Sequence, residues 1–180
     1  KYDYWRIPNF EGIEPSEDSS YAHITTNNTL FGTRWDIFPE TGNVPLVADA
    51  TSDILSREMD YSKFGIVYAG LQKNLGVSGT AIVVIREDLI GKALPITPKL
   101  LNYKVIYNEN SIPNTINVFA IYVMSLILDW IKNNGGVSKM EKIAKKKSDL
   151  LYNVLDQSNF YEIIAYPHDR SFMNVTFNLK

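Results

Sequence analysis

The sequence predicts an α/β fold that passes into the start of an α+β segment. Three apolar runs, at residues 45–48, 65–69 and 80–85, are continuous rather than alternating, which is typical of strands buried on both faces of a sheet. Two stretches with helical periodicity come after them in the chain. This order predicts a first unit over residues 1–135 and the beginning of a second unit over residues 136–180.

The strands are assigned from apolar content and from the turn residues that follow each run. Residues 21–25 alternate weakly between polar and apolar side chains and are the first candidate strand. The run at 45–48 is followed by Asp49, so a carboxylate stands at the carboxyl end of a buried strand. Residues 80–85 are mostly β-branched, which favours a strand.

Two helices are predicted downstream. Residues 117–132 place apolar side chains at helical spacing, and the Asn-Asn-Gly-Gly sequence behind them ends that helix. Ser138 is predicted to cap the second helix, because Glu141 follows at the capping-box spacing. That helix is expected to end near Ser158 and to turn apolar residues such as Leu150 inward.

Two further strands are predicted after the second helix, at residues 160–165 and 172–179. In the last of these, alternate residues from Met173 to Leu179 are apolar and are expected to face the core. A strand as the last element, together with a first residue that is not Met, leads us to expect the middle part of a longer protein.

Composition and charge exclude several classes of function. The 180 residues are 45% hydrophobic and 21% charged, with a formal net charge of −2, so nothing points to a nucleic-acid partner. The absence of cysteine excludes disulfides, thiolate catalysis and cysteine-ligated zinc, and no metal site is predicted. No apolar run reaches the ~18–20 residues that span a bilayer, and the N-terminus has no signal-peptide pattern. We therefore expect a cytoplasmic protein without a membrane partner.

The stretch with the strongest chemical signal is the link between two of the buried strands. Residues 69–79 read AGLQKNLGVSG, with Lys73 at the centre. The glycines of this link permit tight turns and a close approach of a ligand to the backbone. Desolvation at the end of a buried sheet makes a lysine amine a usable nucleophile toward an aldehyde. A lone lysine in such a link is, in most proteins, simply an exposed loop residue.

A carboxylate stands near this lysine in the predicted sheet. Asp49 lies 73 − 49 = 24 residues before Lys73, at the end of a neighbouring strand. Enzymes that use pyridoxal phosphate (PLP) need both groups: a lysine that holds the cofactor and an acid that keeps its pyridine nitrogen protonated. Open α/β sheets bind ligands at strand ends. Asp49 alone is more simply explained as a capping or turn residue.

Five segments, in colinear order, resemble the phosphoserine aminotransferase family. Residues 69–76 match its A-G-x-Q-K-N-x-G pattern around the PLP lysine, and residues 47–53 (VADATSD) resemble its V-A-D-x-S-S-D. The other segments are 27–33 (NNTLFGT), 111–115 (SIPNT) and 170–175 (RSFMNV). The similarity extends over essentially the whole chain.

The resemblance implies a PLP-transferase fold like that of aspartate aminotransferase. Residues 1–135 would be part of a large, PLP-binding domain with a mixed, mostly parallel sheet, and residues 136–180 the start of an α+β small domain. The implied reaction of serine biosynthesis is reversible. It converts L-glutamate and 3-phosphohydroxypyruvate to 2-oxoglutarate and O-phospho-L-serine, with PLP as cofactor and a homodimer as the working unit.

The resemblance also assigns roles to individual residues, with Lys73 and Asp49 as the catalytic pair. Lys73 would hold PLP as a Schiff base and, once displaced by the substrate amine, would move a proton between substrate and cofactor. Asp49 would pair with the pyridine nitrogen. Thr29 would hydrogen-bond the phenolic oxygen of the ring, and Gln72 would contact the cofactor phosphate. His23 is expected to be structural.

Asn114 and Thr115 would reach the cofactor phosphate of the partner subunit, which makes a complete site dependent on a dimer. Without the resemblance, the same pair is more simply explained as an N-cap of the helix over residues 117–132. The chain departs from the family here, because Ile116 and Asn117 stand where the family has two prolines.

The sequence also fits two other interpretations. One is a different PLP enzyme of the same fold, such as an alanine–glyoxylate aminotransferase or a cysteine desulfurase, although the latter needs a cysteine. Another is an inactive remnant or scaffold that keeps the fold but not the cofactor. The family's phosphate loop, stacking aromatic and substrate-binding arginines have no counterpart in residues 1–180. The isolated chain is therefore expected to bind PLP weakly and to be inactive.

Overall fold

The structure is a computed structural model and describes residues 4–9, 14–16 and 18–180. In chain order its strands and α-helices are β1 (Ala22–Thr25), β2 (Asn27–Asn28), β3 (Thr33–Arg34), β4 (Leu46–Asp49), β5 (Ile66–Gly70), β6 (Ala81–Ile85), α1 (Tyr103–Asn108), α2 (Val118–Asn133), α3 (Gly136–Asp156), β7 (Tyr161–Glu162) and β8 (Asn178–Leu179). Short 3₁₀ turns occupy Tyr61–Lys63, Glu87–Leu89, Lys99–Leu101 and Pro167–Asp169.

Within the described residues, the central sheet has four strands in the order β1-β4-β5-β6. The first three are parallel, and β6 runs antiparallel to β5. The sheet is therefore mixed and mostly parallel, as predicted. Its register places Thr25, Asp49 and Tyr68 side by side near the carboxyl ends of the three parallel strands.

The core lies on the two inner strands, β4 and β5, each of which has a neighbouring strand on both edges and buries alternate residues. Ala48 and Ala69 are fully buried, Val67 is 1% exposed, and Leu71 and Leu75 behind β5 are buried as well. The edge strand β6 is more exposed than predicted. β6 has the most β-branched sequence, yet Val84 is 46% exposed, since nothing among the described residues covers that face of the edge strand.

The helix α2 begins one residue later than predicted, with Asn117 as its cap. The Asn117 side chain accepts a hydrogen bond from the Ala120 backbone N–H at 3.1 Å. Ala120 and Ile131 are the buried residues of this helix, whereas Trp130 is 56% exposed. The predicted apolar spacing therefore forms the helix, but most of its apolar face has no partner within the described part of the chain.

The helix α3 begins three residues earlier than predicted, and Ser138 is not its cap. The N-cap is Gly135, whose φ of 98° is a left-handed conformation that glycine adopts without strain. Tyr152 and Leu155 face the core, but Leu150 is 71% exposed, so the predicted inward orientation of that residue is wrong. In the described residues, no helix combines the length and the apolar character that a membrane crossing requires.

Strands were predicted at 160–165 and 172–179, but only the two-residue strands β7 and β8 form there, and they pair antiparallel. Between them, the backbone after Arg170 is held by polar side chains rather than by a strand ladder. The Ser171 hydroxyl accepts hydrogen bonds from the backbone N–H groups of Met173 and Asn174 at 3.0 and 3.2 Å. Leu179 is 62% exposed, so the expected inward alternation does not extend to the end of the chain.

Candidate active site

The carboxyl ends of β4 and β5 bring the two predicted catalytic residues to one edge of the sheet. Asp49 is the last residue of β4, and Lys73 lies in the turn directly after β5. The two segments are tied together by the Gly70 backbone N–H, which donates to the Thr51 hydroxyl at 3.2 Å. Parallel strands place their following loops at the same edge, which is why residues distant in sequence meet here.

Lys73 contacts Thr29 directly. Its Nζ donates a hydrogen bond to the Thr29 hydroxyl at 2.7 Å, across 44 positions of sequence. Both side chains are exposed. Thr29 belongs to the turn between β2 and β3, which the Asn28 side chain stabilises by accepting from the N–H groups of Leu30 and Phe31 at 3.1 and 3.2 Å. The amine therefore has a defined position rather than a freely mobile one.

The Asp49 carboxylate is held from two sides. One oxygen accepts from the Thr51 backbone N–H at 2.9 Å. Tyr68 is the register partner of Asp49 on β5, and the pKa of its hydroxyl is raised first by burial and then by the charge of Asp49 and a hydrogen bond to it. His23 on β1 completes the row, with its Nε2 at 3.1 Å from the Tyr68 hydroxyl.

The sequence pattern did not identify Tyr68 as a site residue, and it predicted no hydrogen-bond partner for His23. The signal that finds them is the strand register, which pairs Asp49 with Tyr68 across β4 and β5. Because β1 is parallel to β4 and β5 to β4, side chains of all three strands converge at one edge. His23 therefore contacts Tyr68, the residue that interacts with Asp49.

Gln72 lies folded back over Gly70. A Cβ built at Gly70 would stand 2.8 Å from the Gln72 Nε2, so a side chain at that position would displace the amide. Gly70 therefore leaves the space that the Gln72 amide occupies, and this exposed amide belongs to the residue next to the exposed Lys73. An amine, a hydroxyl, a carboxylate and an amide at one edge form a donor and acceptor set that fits PLP.

A buried ion pair anchors the loop that follows Asp49. Asp53 is 1% exposed and accepts from the Arg57 guanidinium at 3.2 and 3.1 Å, while the Thr26 hydroxyl donates to its other oxygen. Burial raises the pKa of the Asp53 carboxyl, and the charge of Arg57 acts in the opposite direction. The pair lies behind the loop and stiffens it, because a buried charge is tolerated only when it is paired.

Asn114 and Thr115 are not brought to this group of residues. Both are exposed, and the Asn114 side chain donates to the Thr115 carbonyl at 3.2 Å. Within the described chain, neither forms a hydrogen bond with Lys73, Asp49 or Thr29. The simpler explanation as a helix cap is wrong, because Asn117 caps α2.

Comparison with known proteins identifies close relatives of the whole chain. The family model described as aminotransferase class-V matches residues 11–180. Phosphoserine aminotransferase of Lysinibacillus sphaericus is 48% identical over 177 residues, which are 98% of this chain and 49% of that protein. This chain therefore spans about half the length of the curated relatives it matches.

Two solved structures give the same result in three dimensions. Phosphoserine aminotransferase from Bacillus circulans subsp. alkalophilus superposes with a TM-score of 0.95 at 41% identity, covering 98% of this chain and 49% of that one. The PLP-bound phosphoserine aminotransferase from Trichomonas vaginalis superposes with a TM-score of 0.92 at 31% identity, covering 97% and 51%. These matches confirm the predicted PLP-transferase-like α/β fold. Since the family model extends over almost all of its residues, the chain belongs to the class-V aminotransferases.

Proposed function

We propose that the protein is a phosphoserine aminotransferase, a PLP-dependent enzyme that transfers an amino group reversibly between L-glutamate and 3-phosphohydroxypyruvate. The products of the forward direction are 2-oxoglutarate and O-phospho-L-serine, the step that serine biosynthesis requires. The observation that carries the proposal is the Lys73–Thr29 contact of 2.7 Å at the strand edge that also bears Asp49. The names of the relatives supply the choice of substrate.

Each residue of the edge has a role that its position supports. Lys73 Nζ binds the cofactor covalently and afterwards moves a proton at the substrate Cα. Thr29, which already accepts from that amine, orients it and hydrogen-bonds the ring oxygen. Asp49, with Thr51 and Tyr68 around its carboxylate, holds a proton at the pyridine nitrogen. When bound, PLP supplies an electron sink for the substrate carbanion.

Gln72 has the position expected of a phosphate contact. Its amide is exposed, and Gly70 leaves room for it to fold back over the backbone. An exposed amide N–H can donate to a phosphate oxygen. We also propose that residues 1–135 belong to the large domain and 136–180 to the small one, and that the enzyme acts in the cytoplasm.

The test of the function is an assay of the full-length protein saturated with PLP. With L-glutamate and 3-phosphohydroxypyruvate we expect a kcat of about 1 s⁻¹ or more, the ordinary range for enzymes. L-Alanine with glyoxylate, at the same concentrations, is the matched control for the other transaminase of this fold and should react far more slowly. A preference for alanine and glyoxylate would contradict the proposed substrate while leaving the transaminase class intact.

We propose further that the working unit is a homodimer in which Asn114 and Thr115 serve the partner's cofactor phosphate. Both are exposed, and the hydrogen bond that the Asn114 side chain forms in the described chain goes to the Thr115 carbonyl rather than to Lys73 or Thr29, which leaves them available to another subunit. A Lys73→Ala variant mixed with an Asn114→Ala/Thr115→Ala variant would then form heterodimers with one intact site. Random mixing of equal amounts should restore about a quarter of the wild-type activity.

The measurement is made at limiting PLP, after the two inactive preparations are unfolded together and refolded. Each variant refolded alone is the control and should stay inactive or nearly so. Absence of any gain on mixing, with dimers present by light scattering, would show that the pair does not act across an interface.

A further inference from the structure

The turn that carries Thr29 is held from outside by a distant part of the chain. The segment after Arg170, residues 171–176, forms hydrogen bonds to three backbone carbonyls of this turn. The Asn174 Nδ2 donates to the Thr29 carbonyl at 2.8 Å, and the Thr176 hydroxyl donates to the Phe31 carbonyl at 3.0 Å. The Ser171 backbone N–H donates to the Gly32 carbonyl at 2.8 Å. The turn is therefore clamped along its length by this segment.

Asn174 is itself held in one orientation. Its Oδ1 accepts from the Asn27 Nδ2 at 2.9 Å and lies 3.1 Å from the Ser171 hydroxyl, which also bonds to the Asn27 Oδ1. A flipped amide would turn its NH₂ toward the Asn27 donor and its oxygen toward the Thr29 carbonyl, losing both bonds. Asn27 and Ser171 are buried, at 1% and 0% exposure, so water cannot easily replace either partner.

The same network extends to the loop that follows Asp49. The Asn27 Nδ2 donates to the Ser52 hydroxyl at 3.0 Å, and that hydroxyl donates to the Asn27 carbonyl at 2.7 Å. Ser52 is three residues after Asp49. The network thus joins the segment around Asn174 to both loops that carry candidate active-site residues. Fully satisfied buried networks of this kind are rigid and specify one arrangement.

We infer that Asn174 is a positioning residue for the Lys73 amine, acting through Thr29. Asn174 fixes the Thr29 carbonyl, and the Thr29 backbone fixes where its hydroxyl stands. That hydroxyl accepts from Lys73 Nζ at 2.7 Å. The placement of residues 171–176 therefore controls whether the amine is presented in a single position. The part of the inference that concerns cofactor capture rests on the proposed function, whereas the clamp on the turn does not.

The first test needs no cofactor. In the full-length apo protein, Asn174→Ala should speed amide hydrogen exchange in the turn around Thr29 by about tenfold or more, the effect of losing one well-made hydrogen bond. Asn174→Asp keeps the acceptor for Asn27 but loses the donor to the Thr29 carbonyl, so it should loosen the turn similarly. It also serves as the second variant if Asn174→Ala does not fold. Unchanged exchange in both variants would overturn the inference.

The control is Asn178→Ala, the same chemical change in the same terminal segment. Asn178 is exposed, on β8, and its backbone pairs with Glu162 rather than with the turn. It should leave exchange around Thr29 and PLP capture as in the wild type. A loss in Asn178→Ala equal to that in Asn174→Ala would show a general loosening of the terminal segment, and it would overturn the specific role of Asn174.

The second test measures capture of PLP from dilute solution by the visible absorbance of the Lys73 adduct. Asn174→Ala and Thr29→Ala should each weaken capture by about tenfold, since the first displaces and the second removes the hydroxyl that positions the Lys73 amine. The double variant should be no weaker than Thr29→Ala alone, because both changes act on one contact.

A further tenfold loss in the double variant would mean that Asn174 acts by another route, and the inference would be wrong. If the wild type captured PLP on a different lysine, the proposed function would fail, while the exchange result would still decide whether Asn174 clamps the turn. The two failures are therefore distinguishable.

Discussion

Replacing Lys73 with alanine in the full-length protein is expected to abolish transaminase turnover. The reason is that Lys73 supplies both the covalent link to PLP and the group that moves the proton, and no other amine lies in hydrogen-bond contact with Thr29 in the described chain. The borohydride-trapped PLP adduct should disappear with the activity. The measurement is steady-state turnover together with peptide mapping of the trapped adduct.

A second substitution tests whether position 73 needs only a positive charge or also a nucleophilic amine. Lys73→Arg keeps a cation that can donate to the Thr29 hydroxyl, but a guanidinium stays protonated and does not act as the amine nucleophile. It should therefore be as inactive as Lys73→Ala. Lys142→Ala, an exposed lysine on α3, is the matched control and should retain full activity. A trapped adduct on any lysine other than Lys73 would contradict the assignment.

Replacing Asp49 is the second change with a large expected effect. Asp49→Ala removes the carboxylate that holds the pyridine proton, and we expect kcat at saturating PLP to fall by about 10²–10⁴. Breaking a desolvated charge pair by removing one partner costs about 3–5 kcal/mol, and each 1.36 kcal/mol of barrier is tenfold in rate.

Asp49→Asn isolates the charge from the geometry. An amide oxygen can still accept from the Thr51 backbone N–H, as Oδ1 does at 2.9 Å, so the loop should keep its shape. A neutral amide nevertheless cannot stabilise a pyridinium, and kcat should fall nearly as far as in Asp49→Ala. Asp129→Asn, at an exposed site on α2, is the control. Near-normal kcat in Asp49→Ala would show that another group holds the proton.

Much of the local structure follows from sequence pattern alone. The apolar runs before Asp49 and before Lys73 form β4 and β5, and the helical spacing after residue 117 forms α2. These elements were predictable because a strand or helix is encoded by periodicity over a few neighbouring residues. The family motifs further placed Thr29 and Gln72 near Lys73, although no local pattern would have singled them out.

Errors in the sequence prediction have a common cause. Residues 172–179 alternate like a strand, but the side chains of Asn174 and Thr176 bond to the Thr29 turn, and the Ser171 hydroxyl accepts from the backbone N–H of Met173. Only Asn178–Leu179 pairs as strand. Polar side chains that satisfy backbone groups compete with a ladder, and which one forms depends on what lies opposite. The exposure of β6 was also not predictable from its own residues, because the burial of a strand depends on the segments that pack against it.

The sequence by itself determined the approximate ends of β4, β5, α2 and α3. It also supplied, through the family resemblance, the prediction of which residues bind PLP. Only the tertiary structure decided that β6 runs antiparallel, that His23 and Tyr68 stand beside Asp49, and that Asn174 holds Thr29 across 145 positions of the chain. The physical reason is that local propensities act within a turn of helix or a few residues of strand. A contact between distant segments forms only after the sheet has fixed their relative positions. Closing the long loop between the two segments costs entropy, and that cost is offset by packing across the whole sheet, which no short stretch of sequence contains.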